Sequence, residues 1–171
     1  KDVDTNLRVA EQLIRQASEQ KARLVVLPEM FASLGMVGQH ELAVSRFTPK
    51  DVLATLAAWS KRYQVFLVAG SVPIASDSDA KKVHATSLVF SPKGVQLAAY
   101  EKIHLFDVLV SDEKGSYKES DTFLPGSTAQ SVDIDNIKLG LTICYDLRFP
   151  ELFQQYMKQG CQVISVPSAF T

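Results

Sequence analysis

Three residues of this chain place reactive side chains at the ends of apolar runs: Glu29, Lys102 and Cys144. Cys144 closes Leu139-Gly140-Leu141-Thr142-Ile143 and precedes Tyr145-Asp146-Leu147-Arg148-Phe149-Pro150-Glu151, where a strand is expected to run into a helix. Free backbone N–H groups at such a junction favour a thiolate and an oxyanion alike. Glu29 follows Leu24-Val25-Val26-Leu27-Pro28, where partial desolvation suits a carboxylate to work as a general base. Lys102 could act as a fixed cation against a developing oxyanion. Nucleophile, base and cation together suggest a covalent hydrolase. Each also has a plainer reading: a cysteine filling core, a solvated loop carboxylate and a surface lysine. Cys161, opening a later apolar run, is assigned to packing alone, and His104 to structural hydrogen bonding.

The elements that must position these groups can be read from the pattern. Leu7, Ala10, Leu13, Ile14 and Ala17 recur at helical spacing over residues 5–20, with Asp4 or Thr5 available as N-cap. Leu24 to Leu27 reads as a strand buried on both faces, ended by Pro28. Thr48-Pro49-Lys50-Asp51 has the form of a helix start, and residues 65–70 of a second buried strand. Helix, strand, helix, strand points to an α/β sheet.

Residues 83–90 and 95–103 form a hairpin across Ser91-Pro92-Lys93-Gly94, so the sheet is expected to be mixed. Period two puts Tyr100, Lys102 and His104 on one face. Residues 107–127, with Gly115, Pro125 and Gly126, read as a long functional loop. Strands are expected at 130–134 and 137–143, a helix at about 150–159 closed by Gly160, and a last buried strand at 161–166. Alternation places Ile137, Leu139, Leu141 and Ile143 on one face and Cys144 on the other, with Lys138, Gly140 and Thr142.

The 171 residues are 46% hydrophobic and carry a net charge of −1, enough apolar material for the core of one globular domain. No basic run favours nucleic acid or an anionic membrane as partner, and no apolar stretch is long enough to span a bilayer. Two cysteines at this spacing form neither a disulfide framework nor a zinc pattern, so free thiols and a cytoplasmic location are expected.

Three segments carry a family resemblance: Leu24-Val25-Val26-Leu27-Pro28-Glu29-Met30-Phe31, Tyr100-Glu101-Lys102-Ile103-His104-Leu105-Phe106-Asp107-Val108 and Ile143-Cys144-Tyr145-Asp146-Leu147-Arg148-Phe149-Pro150-Glu151-Leu152. In this order they resemble the nitrilase superfamily of carbon–nitrogen hydrolases, in its branch of small-acid amidases. The resemblance implies an α/β fold, an α-β-β-α sandwich with mixed sheets. It implies Glu29 as general base and acid, Lys102 as oxyanion-stabilising cation, Cys144 as nucleophile and Glu119 as a second glutamate. Tyr145, through its backbone N–H, and Arg148, through its guanidinium, are the expected substrate contacts, with a structural ion pair of Arg148 to Glu151 or Asp146 an equally good reading of that residue.

The implied reaction is hydrolysis of a small carboxylate-bearing amide, with ammonia released and a Cys thioester as intermediate. No metal or organic cofactor is implied, and a homodimer or higher homo-oligomer is. Residues 1–171 are expected to be one partial carbon–nitrogen hydrolase domain, lacking a first strand and a C-terminal part. A mitochondrial location stays open beside the cytoplasmic one. A catalytically silent binding or scaffold protein of the same fold is the alternative reading.

Overall fold

A computed structural model describes residues 2–109 and 116–170. The first element is helix α1 (Val3–Glu19), which buries Val3, Leu7, Ala10 and Ile14 along one stripe. Its N-cap is Asp2, whose side chain accepts the Thr5 N–H at 2.9 Å, two residues before the earliest cap expected. Leu13 lies off the stripe and is exposed. Strand β1 (Leu24–Val26) follows, then helices α2 (Gln39–Ser45) and α3 (Val52–Tyr63). Strands β2 (Phe66–Val68), β3 (Val72–Ala75), β4 (Val83–Phe90) and β5 (Gln96–Glu101) complete a five-stranded mixed sheet with β1.

In that sheet β1 pairs parallel with β2, while β4 pairs antiparallel with β2 and β3 along one side and with β5 along the other. The expected hairpin joins β4 to β5, closed by the Gly94 N–H bonding to Ser91 C=O at 2.8 Å. β1 is an edge strand and Val26 is 42% exposed, so the expectation of burial on both faces is corrected. The long segment after β5 is not structureless. It holds the two-stranded ribbon of β6 (Asp107–Leu109) and β7 (Ser116–Lys118) and a 3₁₀ turn over Glu119–Asp121. Gly115 lies outside the described residues, as do Lys1 and Thr171.

A second sheet is formed by β8 (Ser131–Ile134), β9 (Ile137–Leu141) and β10 (Val163–Ser165), with β9 central. β10 runs parallel to β9 and β8 antiparallel. A 3₁₀ turn, Cys144–Arg148, separates β9 from helix α4 (Pro150–Lys158). The strand therefore turns through a tight bend before any α-helix begins.

Apolar packing makes these elements an α-β-β-α sandwich. Leu7, Ile14, Leu56 and Trp59 of α1 and α3 meet Leu67, Leu88 and Phe90 on one face of the first sheet. Phe66, Val68, Val89 and Tyr100 on its other face meet Val132, Leu139, Leu141 and Ile143 of the second sheet and its exit. α4 covers the far side, where Tyr156 packs against Gly140 so closely that a Cβ there would lie 2.9 Å from the ring. The fully buried Tyr156 hydroxyl donates to the Leu141 carbonyl.

Candidate active site

The four candidate reactive side chains, Glu29, Lys102, Glu119 and Cys144, line one cavity of about 580 Å³ at the end of the sandwich. Each is brought there by a local backbone feature. Glu29 follows the last ladder bond of the first strand, Leu27 N–H to Val68 C=O at 2.9 Å. Gly70, with φ 51°, lies so close to that turn that a Cβ would sit 1.8 Å from the Pro28 carbonyl oxygen. Only glycine meets both conditions. Met30 then takes the left-handed region, φ 49°, and its N–H bonds to the buried Ser71 Oγ at 3.0 Å. The Glu29 carboxylate, 7% exposed, accepts the Ala169 N–H through Oε2 at 3.0 Å and the Lys102 ammonium through Oε1 at 2.8 Å.

Lys102 is no surface lysine: it is 2% exposed. Its backbone N–H bonds to Ala85 C=O at 2.9 Å and its C=O accepts from Gly126 N–H at 2.8 Å, so the main chain is held on both sides. The ammonium reaches Glu119 Oε1 and Oε2 at 3.1 and 3.0 Å as well as Glu29. Phe106 N–H, at 2.7 Å, fixes Glu119 Oε2. Burial disfavours the ammonium, but the charges of Glu119 and Glu29 outweigh it and hold Lys102 above the ordinary lysine value.

Cys144 begins the tight turn with φ 45°, an unusual conformation for a residue with a Cβ. Its N–H bonds to Pro167 C=O at 2.9 Å. This backbone ends the strand alternation, so the side chain packs beside the inter-sheet cluster of Leu139, Leu141 and Ile143. Parity placed it on the opposite face; the left-handed turn overrides parity. A second expectation is corrected too. Instead of a stabilised thiolate, burial first and then the charge and hydrogen bond of Glu29 push the thiol pKa up to about 11. The Ala169 N–H and the Lys102 charge only partly offset this.

Tyr145 and Arg148 also line the cavity. The Tyr145 ring meets Phe106 and Phe149 edge-on, at centroid distances of 5.0 and 5.5 Å. Arg148 is exposed and, among the described residues, makes neither of the ion pairs open to it, with Glu151 or Asp146. Cys161 is half-buried and, like Cys144, a free thiol. Among the described residues no group of three or more His, Cys, Asp or Glu side chains could hold a metal ion.

Beyond the alternative of an ion pair with Arg148, sequence reasoning gave no part to the carboxylate next to this cavity. Asp146 is completely buried and accepts four hydrogen bonds. Oδ2 takes the Tyr100 hydroxyl at 2.7 Å and the Ile143 N–H at 2.8 Å. Oδ1 takes the His104 N–H at 3.0 Å and His104 Nδ1 at 2.7 Å, where the ring nitrogen carries the proton because a carboxylate only accepts. The expected hydrogen-bonding role of His104 is thus to Asp146, and its ring stacks on Phe149 with centroids 3.6 Å apart. The available signal was spacing: Tyr100 and His104 stand two residues on either side of Lys102, and Asp146 two after Cys144.

The Carbon-nitrogen hydrolase family matches residues 1–170, and the chain belongs to it. It is 43% identical over 171 residues to the deaminated glutathione amidase of Synechocystis sp., covering 97% of this chain and 61% of that protein. Omega-amidase NIT2 of Homo sapiens is 40% identical over 166 residues, covering 96% of this chain and 58% of that protein. The chain thus spans about three fifths of these relatives' length. Among solved structures it is similar to the C. elegans NitFhit protein, with TM-score 0.88 and 34% identity over 99% of this chain and 41% of that one. No helix among the described residues is long and apolar enough to cross a membrane.

Proposed function

We propose that the protein hydrolyses the C–N bond of a small carboxylate-bearing amide through a thioester on Cys144. The observation that carries this reading is the Lys102 ammonium held between the carboxylates of Glu29 and Glu119, in the cavity that also receives the Cys144 thiol. A nucleophile, a base in hydrogen-bond reach of it and a fixed cation are the parts acyl transfer requires.

At neutral pH Cys144 rests as a thiol, because its pKa is pushed up to about 11. Glu29 accepts the thiol proton as sulfur attacks the amide carbonyl carbon. The oxyanion forms against the Lys102 ammonium and the Tyr145 backbone N–H, where a pre-placed charge acts in a site with little water to screen it. Glu29 returns the proton to nitrogen as the C–N bond breaks, and ammonia leaves a thioester on Cys144. Water then gives a proton to Glu29 and its oxygen to the carbonyl carbon. The C–S bond breaks, the acid departs and sulfur regains the proton.

Glu119 holds Lys102 in place and balances its charge. Arg148, whose planar fork matches a carboxylate, holds the substrate's acid group at the cavity mouth. The names of the relatives support an acidic amide as substrate. The test is release of ammonia from alpha-ketoglutaramate and a simple aliphatic amide, and of cysteinylglycine from deaminated glutathione, by the full-length protein. Turnover of an acidic amide is expected, together with a trapped thioester in the mass spectrum. Cys144→Ala is expected to abolish both, and a Cys144→Ala protein that still turns over would sink the scheme.

A further inference from the structure

The steps above give no part to Asp146, yet its carboxylate is buried at 0% exposure among four donors. Those donors come from the two pieces of chain that carry the reactive groups. Tyr100 and His104 flank Lys102; Ile143 precedes Cys144. The two pieces leave different sheets, and no strand pairing among the described residues joins those sheets. Between them lies mainly apolar packing, which is strong but non-directional. Hydrogen bonds are directional, and here one backbone N–H meets each carboxylate oxygen: His104 N–H on Oδ1 and Ile143 N–H on Oδ2. The carboxylate therefore fixes both backbones at once.

We propose that Asp146 is a positioning residue that sets the distance from the Lys102 ammonium to the Cys144 sulfur by bolting the Tyr100–His104 stretch to the Cys144 turn. This inference rests on reading Lys102 and Cys144 as a reacting pair. The Tyr100 hydroxyl tightens the bolt: burial and the Asp146 charge keep it protonated, so it serves as a donor at neutral pH. His104, stacked flat on Phe149, ties the same carboxylate to the residue that leads into α4.

The molecule supplies its own control, because a second fully buried tyrosine hydroxyl, that of Tyr156, bonds the Leu141 carbonyl on the far side of the second sheet. Tyr100→Phe and Tyr156→Phe, made in the full-length protein, each remove one buried hydroxyl. Both are expected to lower Tm. Only Tyr100→Phe is expected to lower kcat, by about tenfold, as small displacements of reacting groups do. Its KM should stay within about twofold, since the substrate contacts are untouched. His104→Phe keeps the backbone bond and the stack on Phe149 and loses the ring donor, so kcat should fall by about threefold.

Equal kcat for the two tyrosine variants would overturn the proposal. So would an effect confined to KM. Cys144→Ala run in parallel separates the two levels. If it stays active, the reacting-pair reading fails and this inference with it. If it is dead while Tyr100→Phe behaves like Tyr156→Phe, only the inference fails.

Discussion

Two buried carboxylate clusters lie side by side in this molecule, and they solve the cost of burial differently. Around Lys102, two carboxylates share one cation, and the cluster faces a cavity of about 580 Å³. Around Asp146, one carboxylate meets four hydrogen-bond donors, and the side chain is sealed from solvent. The first arrangement leaves charge facing the cavity. The second fills each oxygen with two donors and leaves nothing to react. In the proposed reading, the open charge cluster carries the chemistry and the saturated one sets placement.

The strongest way to break this contrast is Lys102→Met, which leaves Glu29 and Glu119 facing each other without a cation. Loss of one partner from a buried ion cluster costs about 3–5 kcal/mol. Turnover should fall by about 10²–10³ or more, as when an oxyanion donor is lost. Adding Glu119→Gln to Lys102→Met removes one of the stranded charges. Denaturant unfolding should then recover part of the stability while ammonia release stays flat. Recovery of both would mean that Lys102 acts only through folding.

Two isosteric changes sharpen the contrast at smaller size. Asp146→Asn puts an amide NH₂ against the Ile143 or the His104 backbone N–H, whichever way the amide turns. One buried donor is left unpaired, at a cost of about 1–3 kcal/mol by thermal or denaturant unfolding. Glu119→Gln keeps one oxygen for the Phe106 N–H, and Lys102 keeps Glu29, so stability should change by about 1 kcal/mol or less. Its kcat should still fall by about tenfold, because the position of the ammonium is less fixed. A Glu119→Gln variant that unfolds as readily as Asp146→Asn would erase the distinction.

Much of the sandwich was legible because apolar runs and turn residues mark it. The β4–β5 hairpin and α4 lie close to where Ser91 to Gly94 and Pro150 to Gly160 signal them. α2 escaped notice because it is seven residues long, starts after a left-handed Gly38 and has no side-chain cap. β3 was hidden by Pro73, tolerated there because β3 is an edge strand. α3 starts at Val52 rather than near Thr48, and the Asp51 carboxylate accepts from Arg46 Nε at 2.8 Å instead of capping the helix. Reactive residue types at run ends led to Glu29, Lys102 and Cys144. The face of Cys144 was misassigned because period two cannot foresee a left-handed residue. The part played by Asp146 was missed because its side-chain partners Tyr100 and His104 are 46 and 42 residues away.

The smallest expected effect is on the reactivity of the Cys144 thiol toward an alkylating agent. Its pKa of about 11 lies above the ordinary 9.0, with burial as the first cause and the Glu29 carboxylate as the second. In the wild-type protein, alkylation by iodoacetamide should climb with pH from neutrality up to about 11, following the thiolate fraction. Glu29→Gln removes a negative charge beside the sulfur, so the thiol pKa should fall and alkylation at pH 7 should quicken, by about threefold or more. The same substitution removes the proposed base, so ammonia release should collapse. Reactivity toward an alkylating agent and turnover would then move in opposite directions. That divergence follows only if Glu29 both raises the resting thiol pKa and accepts its proton during attack. Should both rates fall together, Glu29 would be holding the sulfur in place, and the open cluster would resemble the sealed one.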